Sequence, residues 1–135
     1  MHNSASGQCL CGAVRFEVAG AFENFFLCHC SRCRKDSGSA HSANLFSSTA
    51  QLIWLSREDA ITTFQLPDTD HVKSFSARCG SAVLYVLTKH GVLVVPAGAL
   101  DSSITNKPNA HICCASRAEW DTDLESLVRI NGLPG

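Results

Sequence analysis

Three of the eight cysteines in this chain fall within a single short segment, at Cys28, Cys30 and Cys33. Cysteine thiolates are strong zinc ligands, and three of them can hold the ion while its fourth tetrahedral position stays open to water or substrate. A metal there would also lower the pKa of a bound thiol and hold it as a thiolate. The alternative is a structural zinc whose fourth ligand is His29 or a distant residue. We favour the open site, which is the arrangement found in catalytic centres.

A second group of cysteines, Cys9, Cys11 and Cys79, resembles the two halves of a zinc clamp. Cys11 and Cys79 are each followed by a glycine, but a C-x2-C-G pair would need a cysteine at position 76, where the sequence has Ser76. A serine hydroxyl is a much weaker zinc ligand than a thiolate, so this site is three-thiolate with water, completed from elsewhere, or empty. The candidates for a fourth ligand in place of residue 76 are His71, Cys113 and Cys114. The two adjacent cysteines lie in a strand-like run, and we expect them to be buried in the core.

The length and net charge of the chain limit the number of domains and the classes of partner that it can have. The chain has 135 residues, 45% of them hydrophobic and 17% charged, and domains usually contain about 100–150 residues. Its 11 basic and 12 acidic residues give a net charge of -1, which excludes the broad positive surface of a nucleic-acid or anionic-membrane binder. No apolar run approaches the roughly 18–20 residues that cross a bilayer. We therefore expect no nucleic-acid partner and no membrane partner.

The start of the sequence lacks the basic segment and apolar core of a secretion signal, so we expect a cytoplasmic protein. In that reducing compartment stable disulfides are rare, and clustered cysteines more often bind metal or carry out chemistry. The cysteine pairs one residue apart are also poor disulfide partners, because a disulfide needs Cβ atoms about 3.8 Å apart. Both observations favour metal over disulfides.

The elements that position these residues are predicted to be strands. Short stretches rich in Val, Ile, Phe and Tyr are separated by Gly, Pro, Asn, Asp and Ser turn signals, which is typical of a mainly antiparallel β protein. Little helix is predicted. One short helix is expected at 117–120, with Ser116 as its N-cap, and a turn or two of helix at 121–128. We expect one domain over residues 7–130, with a flexible N-terminal tail at 1–6 and a C-terminal tail at 131–135. The predicted strands are 13–18, 25–27, 41–46, 51–55, 61–66, 71–75, 82–87, 92–95 and 110–113.

Four separated motifs together resemble a known family. They are GQCLCGAVRF at 7–16, CHCSRCRKDSG at 28–38, CGS at 79–81, and His111 followed by Ser116-Arg117-Ala118 and Trp120. In this order, over nearly the whole chain, they resemble the glutathione-dependent formaldehyde-activating enzyme family, which includes centromere protein V relatives. The resemblance implies an Mss4-like fold of twisted antiparallel sheets with zinc-binding knuckles and little helix.

The resemblance also implies two zinc sites. The catalytic zinc falls on Cys28, Cys30 and Cys33. The structural zinc falls on Cys9, Cys11 and Cys79, with Ser76 at the position of the fourth ligand. This departure from the family pattern puts full occupancy of the structural site in doubt and leaves the catalytic set complete.

The activity that the resemblance implies is a carbon–sulfur lyase reaction, in which glutathione and formaldehyde form S-hydroxymethylglutathione. We call Cys28, Cys30 and Cys33 the triplet. Glutathione carries two carboxylates, which the neighbouring Arg32, Arg34 and Lys35 could bind through charge-assisted hydrogen bonds. The same three side chains could instead belong to a solvated loop. His29 is a candidate general acid or base, or else a hydrogen-bonded loop histidine. His41 and Asn44 are candidates for lining a pocket.

Two other functions are compatible with these cysteines. One is a non-catalytic zinc module that binds a partner through an Mss4-like scaffold, because a fold by itself does not determine function. The other is a thiol–disulfide redox protein that uses the triplet, which would need an exposed thiol of low pKa and a resolving partner. We rank the lyase first, with a small-molecule thiol and an aldehyde as its substrates.

Overall fold

The structure, a computed structural model, describes residues 4–135, and most of its regular secondary structure consists of short strands. Among these residues there is one α-helix, α1 (Ser31–Ser37), and there are four short 3-10 turns, at Glu58–Ala60, Ala97–Ala99, Cys114–Ser116 and Leu124–Ser126. No helix in the described part of the chain is both long enough and apolar enough to span a membrane. In chain order the elements are β1 (Ser4–Gln8), β2 (Arg15–Ala19), β3 (Asn24–Cys28), α1 (Ser31–Ser37), β4 (Ser42–Ser47), β5 (Gln51–Ser56), β6 (Ile61–Gln65), β7 (Val72–Ser76), β8 (Ala82–Val83), β9 (Tyr85–Leu87), β10 (Val92–Pro96) and β11 (Ala110–Ile112).

The strands form three twisted sheets, in the orders β1-β2-β5, β11-β3-β4-β10-β9 and β6-β7-β8. The pairing of β11 with β3 is parallel, and the other strand pairings within residues 4–135 are antiparallel. The predicted mainly β fold with little helix is therefore confirmed. Each predicted stretch overlaps an observed strand, and the stretch 82–87 is divided in two at the buried Leu84.

Strand β1 was not predicted, and it shows that the predicted N-terminal tail at residues 1–6 was drawn too long. Residues 1–3 of that tail lie outside the described residues, but Ser4 to Ser6 pair with β2. The sequence SASGQ has little strand propensity, since small and polar residues are depleted in strands. Tertiary packing stabilises the strand instead. A Cβ on Gly7 would overlap the Ala99 carbonyl oxygen and lie 2.7 Å from Cζ of Phe16, so only glycine allows this close approach.

Helix content was predicted in the wrong place. Residues 117–120 are not helical, and 121–128 contains only the 3-10 turn Leu124–Ser126. The α-helix lies instead at α1, where Cys30 is the N-cap and its sulfur accepts a hydrogen bond from the Cys33 amide over 3.4 Å. Gly38 ends the helix in the left-handed conformation, with φ 64°, and its amide donates to the Arg34 carbonyl over 2.8 Å. Cysteine is not among the usual N-cap residues, which is why the sequence did not indicate this helix.

The core lies between the sheets and has two parts. The larger part joins the β1-β2-β5 sheet to the five-stranded sheet, and its buried members are Phe16, Val18, Phe25, Leu45, Leu84, Leu93 and Val95. The smaller part contains Cys9, Val14, Ala60 and Val83, with Cys79 packed against it. One of the two cysteine groups is therefore built directly onto apolar packing.

Candidate metal centre

Cys28, Cys30 and Cys33 meet at the junction of β3 and α1. Cys28 is the last residue of the strand, Cys30 caps the helix, and Cys33 lies in its first turn. The three sulfur atoms all lie within 4.8 Å of one another. Because sulfurs around one tetrahedral zinc are each about 2.3 Å from the ion, thiols this close can bind the same ion with small adjustments.

Electrostatics also favour a cation at this triplet. Burial would raise the pKa of Cys30, but hydrogen bonds from the Cys33 amide and from the neighbouring thiols lower it overall. The pKa of Cys28 and that of Cys33 are both raised, chiefly by burial. Three thiolates this close would repel one another, so a bound cation is what allows all three to ionise.

Strand β4 supports the triplet from one side. Ser42 is the register partner of Cys28, and its side chain is within hydrogen-bonding reach of the Cys33 sulfur. The Asn44 side-chain amide in turn donates to the Ser42 hydroxyl over 3.5 Å. Polar groups of this kind orient metal ligands and are important for metal affinity.

The triplet opens onto a cavity of about 490 Å³, whose wall includes the thiols of Cys28 and Cys33. His41 and Asn44 both line it, which confirms the prediction that they border a pocket. Apolar groups form much of the wall, and a volume of this order suits a small-molecule ligand. The apolar residues lining the cavity are Ala43, Phe46, Ala82, Val83, Pro96 and Ile112.

Tyr85 contributes a polar group to the same cavity. Burial raises its pKa to about 12, and the negative charges of Asp36 and Cys33 add to the effect. The phenol therefore stays protonated at neutral pH and can donate a hydrogen bond into the cavity. No sequence motif indicated Tyr85, because it lies far along the chain from the triplet and is brought to the cavity by the pairing of β9 with β10 and of β10 with β4.

A charged network forms another part of the cavity wall. Nε2 of His71 is 2.7 Å from Oδ2 of Asp36, and Nζ of Lys73 is 3.2 Å from Oδ1 and 2.6 Å from the Asp36 carbonyl oxygen. Asp36 follows Cys33 by three residues and Ser37 follows it by four, so both share its helix face and line the cavity. Helical spacing was the signal that could have identified them. His71 bonds to Asp36 here rather than to the second cysteine group, for which it was a candidate.

The basic side chains predicted beside the triplet, Arg32, Arg34 and Lys35, lie on α1 but are not among the residues lining this cavity. Successive helical residues differ by about 100° around the axis, so residues one and two positions from Cys33 point away from its face. Arg32 and Lys35 are exposed, and Arg34 is partly buried.

His29 faces away from the triplet. It is 2% exposed, its Nε2 lies 2.8 Å from Nδ1 of His111, and its Nδ1 lies 3.2 Å from the Asp121 carboxylate. Burial lowers the pKa of His29, although the Asp121 charge acts in the opposite direction. These three residues line a separate cavity of about 290 Å³. Of the two alternatives, the hydrogen-bonded loop histidine describes this geometry.

The second cysteine group is also assembled. The sulfurs of Cys9, Cys11 and Cys79 lie within 4.8 Å of one another, with 3.7 Å between Cys9 and Cys11. Hydrogen bonds lower the pKa of Cys79 to about 5, and the largest contribution comes from the Ser81 hydroxyl, 3.3 Å from its sulfur. We call Cys9, Cys11, Cys79 and Ser76 the clamp. Cys113 and Cys114 are exposed, so the expectation that they are core residues was wrong, and neither belongs to a described metal-type cluster.

The two groups differ in how well they match zinc. The triplet offers three thiols and an adjoining cavity, which is the donor set of an open zinc site. The clamp offers three thiols and a buried hydroxyl, which does not match the four strong ligands of a structural zinc.

Comparisons with known proteins show what this chain is similar to. The sequence model of the family described as "Glutathione-dependent formaldehyde-activating enzyme" matches residues 4–116. A Halomonas elongata protein named "Putative glutathione-dependent formaldehyde-activating enzyme" is 31% identical, over 89% of this chain and 80% of that protein. A crystal structure of a Rhodobacter sphaeroides protein is similar in fold, with a TM-score of 0.55 and 20% identity, and covers 78% of this chain and 98% of that one.

Proposed function

Because the chain belongs to the glutathione-dependent formaldehyde-activating enzyme family, we propose that it catalyses the addition of a thiol, glutathione, to formaldehyde. The observation that carries this proposal is the opening of the Cys28, Cys30 and Cys33 group onto the cavity of about 490 Å³. A metal-binding group beside a pocket of this kind is the arrangement of a catalytic centre.

In the proposed reaction the thiol sulfur forms a bond to the carbonyl carbon, and the thiol proton is transferred to the carbonyl oxygen. No group leaves, so the product is S-hydroxymethylglutathione. Zinc held by Cys28, Cys30 and Cys33 would supply a Lewis acid that favours the ionised thiol at neutral pH. The protein must then position the two substrates and donate a hydrogen bond to the oxygen that gains negative charge.

The residues around the cavity suit these tasks. Ser42 and Asn44 orient Cys33, and the apolar side chains keep bulk water away from the reacting carbon. Tyr85 lines the cavity, and its protonated phenol would donate a hydrogen bond to the carbonyl oxygen. For the glutathione carboxylates we propose Lys73, which lies on the cavity wall. Arg32, Arg34 and Lys35 do not line the cavity, and we propose them only for a carboxylate that extends beyond it.

A direct assay tests the function. The zinc-loaded full chain is mixed with glutathione and ¹³C-formaldehyde, and exchange NMR measures the rate at which the adduct forms and dissociates. We expect catalysed exchange well above the spontaneous rate, in protein that contains zinc at the triplet. Exchange at the spontaneous rate in zinc-loaded, folded protein would contradict the enzyme and leave the non-catalytic zinc module as the alternative.

Substitution of Tyr85 with phenylalanine tests the hydrogen-bond donor. We expect kcat to fall about 100-fold, as for other single donors to a developing oxyanion, with little change in the KM for glutathione. Since the pKa of Tyr85 is about 12, the ratio of native to variant activity should be constant from about pH 6 to pH 9. Steady-state kinetics across this range measure both effects.

The matched control for this variant is Ser37→Ala, which removes another hydroxyl from the cavity wall. The Ser37 hydroxyl already donates to the Cys33 carbonyl over 2.7 Å and lies 3.2 Å from the His41 carbonyl, so its proton is not available to a substrate oxygen. We expect little change in kcat for this control. Equal losses in the two variants would count against a specific role for Tyr85.

A further inference from the structure

The clamp differs from a four-thiolate zinc site in one ligand atom, because the hydroxyl oxygen of Ser76 stands where such a site has a sulfur. Ser76 is fully buried, with an exposed fraction of 0%. Its hydroxyl oxygen accepts hydrogen bonds from the Arg78 amide over 3.1 Å and from the Cys79 amide over 3.4 Å. It also lies within hydrogen-bonding reach of the Cys9 and Cys79 sulfurs. The hydroxyl therefore stands beside the thiols, where the family pattern has a fourth ligand.

These hydrogen bonds use all the acceptor capacity of the hydroxyl. A neutral hydroxyl has two lone pairs and one proton to donate. In Ser76 the two amides occupy both lone pairs, and a neighbouring sulfur receives the proton. A thiolate at the same position has a third lone pair, so it can accept two amide hydrogen bonds and still bind a metal.

The polar backbone groups of Ser76 are hydrogen-bonded without a metal. The Gly80 amide donates to the Ser76 carbonyl over 2.7 Å, and the Ser76 amide donates to the Ser81 carbonyl over 3.0 Å. The Ser81 hydroxyl accepts from the Leu10 amide over 2.8 Å, which joins the two halves of the clamp. A zinc–oxygen bond to the Ser76 hydroxyl would compete with the hydrogen bonds from the Arg78 and Cys79 amides, in a turn that these backbone bonds hold closed and at a residue that is 0% exposed.

We propose that Cys9, Cys11 and Cys79 form a three-coordinate thiolate site that binds a soft monovalent ion such as Cu(I) in preference to zinc. Thiolates are the preferred ligands of Cu(I), whereas structural zinc takes four ligands in a tetrahedron. Cys11 is exposed and gives an ion access from solvent, while Cys9 is anchored in the smaller core at 1% exposure. This site goes beyond the proposed function, because none of its residues belongs to the triplet.

Metal stoichiometry in matched variants tests the proposal. The full chain and the variants Cys11→Ser, Cys28→Ser and Ser76→Cys are titrated anaerobically with Cu(I) against bicinchoninate and with zinc against a colorimetric zinc chelator. Cys11→Ser removes a clamp ligand at an exposed position, and Cys28→Ser makes the same change in the triplet. Circular dichroism checks that each variant is folded.

We expect Cys11→Ser to lose about one bound Cu(I) and to keep the zinc content of the native chain. Ser76→Cys should gain about one tightly bound zinc, because it restores the fourth thiolate. The proposal is overturned if Cys11→Ser loses zinc, or if it binds as much Cu(I) as the native chain. The comparison of Cys11→Ser with the native chain is decisive even if Ser76→Cys does not fold. Absence of catalysis in the native chain would contradict the enzyme proposal and leave these stoichiometries unaffected.

Discussion

Replacing Cys30 with serine is expected to lower the rate of adduct formation by at least about 100-fold, while the domain stays folded. Loss of a group that merely orients a metal ligand costs about 10–100-fold in activity or affinity, and Cys30 is itself a proposed ligand. A serine hydroxyl binds zinc much more weakly than a thiolate, so zinc content should fall together with activity.

The fold should survive this substitution because of the second role of Cys30. Its sulfur caps α1 by accepting from the Cys33 amide, and serine is among the best N-cap residues. The substitution therefore removes the ligand and keeps the cap. Exchange NMR measures the activity, metal analysis measures the zinc, and circular dichroism with thermal unfolding measures the fold.

Cys114→Ser is the matched control, since Cys114 is exposed and lies outside both cysteine groups. It should keep native activity and native zinc content. Full activity in Cys30→Ser would remove the triplet from the proposed mechanism. Loss of activity in both variants would instead point to a general sensitivity to cysteine substitution.

The largest expected effect on stability comes from Phe16→Ala. Phe16 is 0% exposed in the larger core, and its ring packs edge-on against Trp54, with 6.2 Å between the ring centroids. Removing a buried phenylalanine side chain typically costs about 3–5 kcal/mol, which combines the lost burial with the cavity left behind. Domains have a total free energy of unfolding of about 5–15 kcal/mol, so the variant should be close to unfolded at moderate temperature.

Urea denaturation measures this loss as a lower transition midpoint. The matched control is Phe64→Ala on β6, where the side chain is 53% exposed. It should lose much less stability, since less apolar surface returns to water. A Phe16→Ala loss no larger than that of the control would show that Phe16 does not hold the two sheets together.

The local sequence was sufficient to predict that the three cysteines of the triplet lie close together. Cys28, Cys30 and Cys33 span the end of one strand and the first turn of one helix, so their sulfurs must be close whatever the rest of the chain does. The strands were predictable for a similar reason, because β-branched and aromatic residues between turn signals favour extended backbone locally. The missing cysteine at Ser76 was also visible in the sequence alone.

Elements that depend on distant contacts were missed. Strand β1 consists of residues with little strand propensity, and pairing with β2 and the contact of Gly7 with the Ala99 segment hold it in place. The helix predicted after Ser116 does not form, whereas α1 forms on a cysteine N-cap. In both cases tertiary packing and capping outweighed the local preference.

The sequence by itself determined which thiols could share a metal, because ligands a few residues apart are brought together by local geometry. Only the tertiary structure decided which other side chains line the cavity beside those thiols. Tyr85 reaches the cavity because β9 pairs with β10, which in turn pairs with the distant strand β4, and Lys73 is brought to it by its contacts with Asp36. The adjacent Arg32 and Lys35 turn outward because a helix rotates its neighbouring side chains by about 100°. The same holds for Ser76, whose residue type the sequence showed but whose two amide hydrogen bonds depend on the fold of the turn.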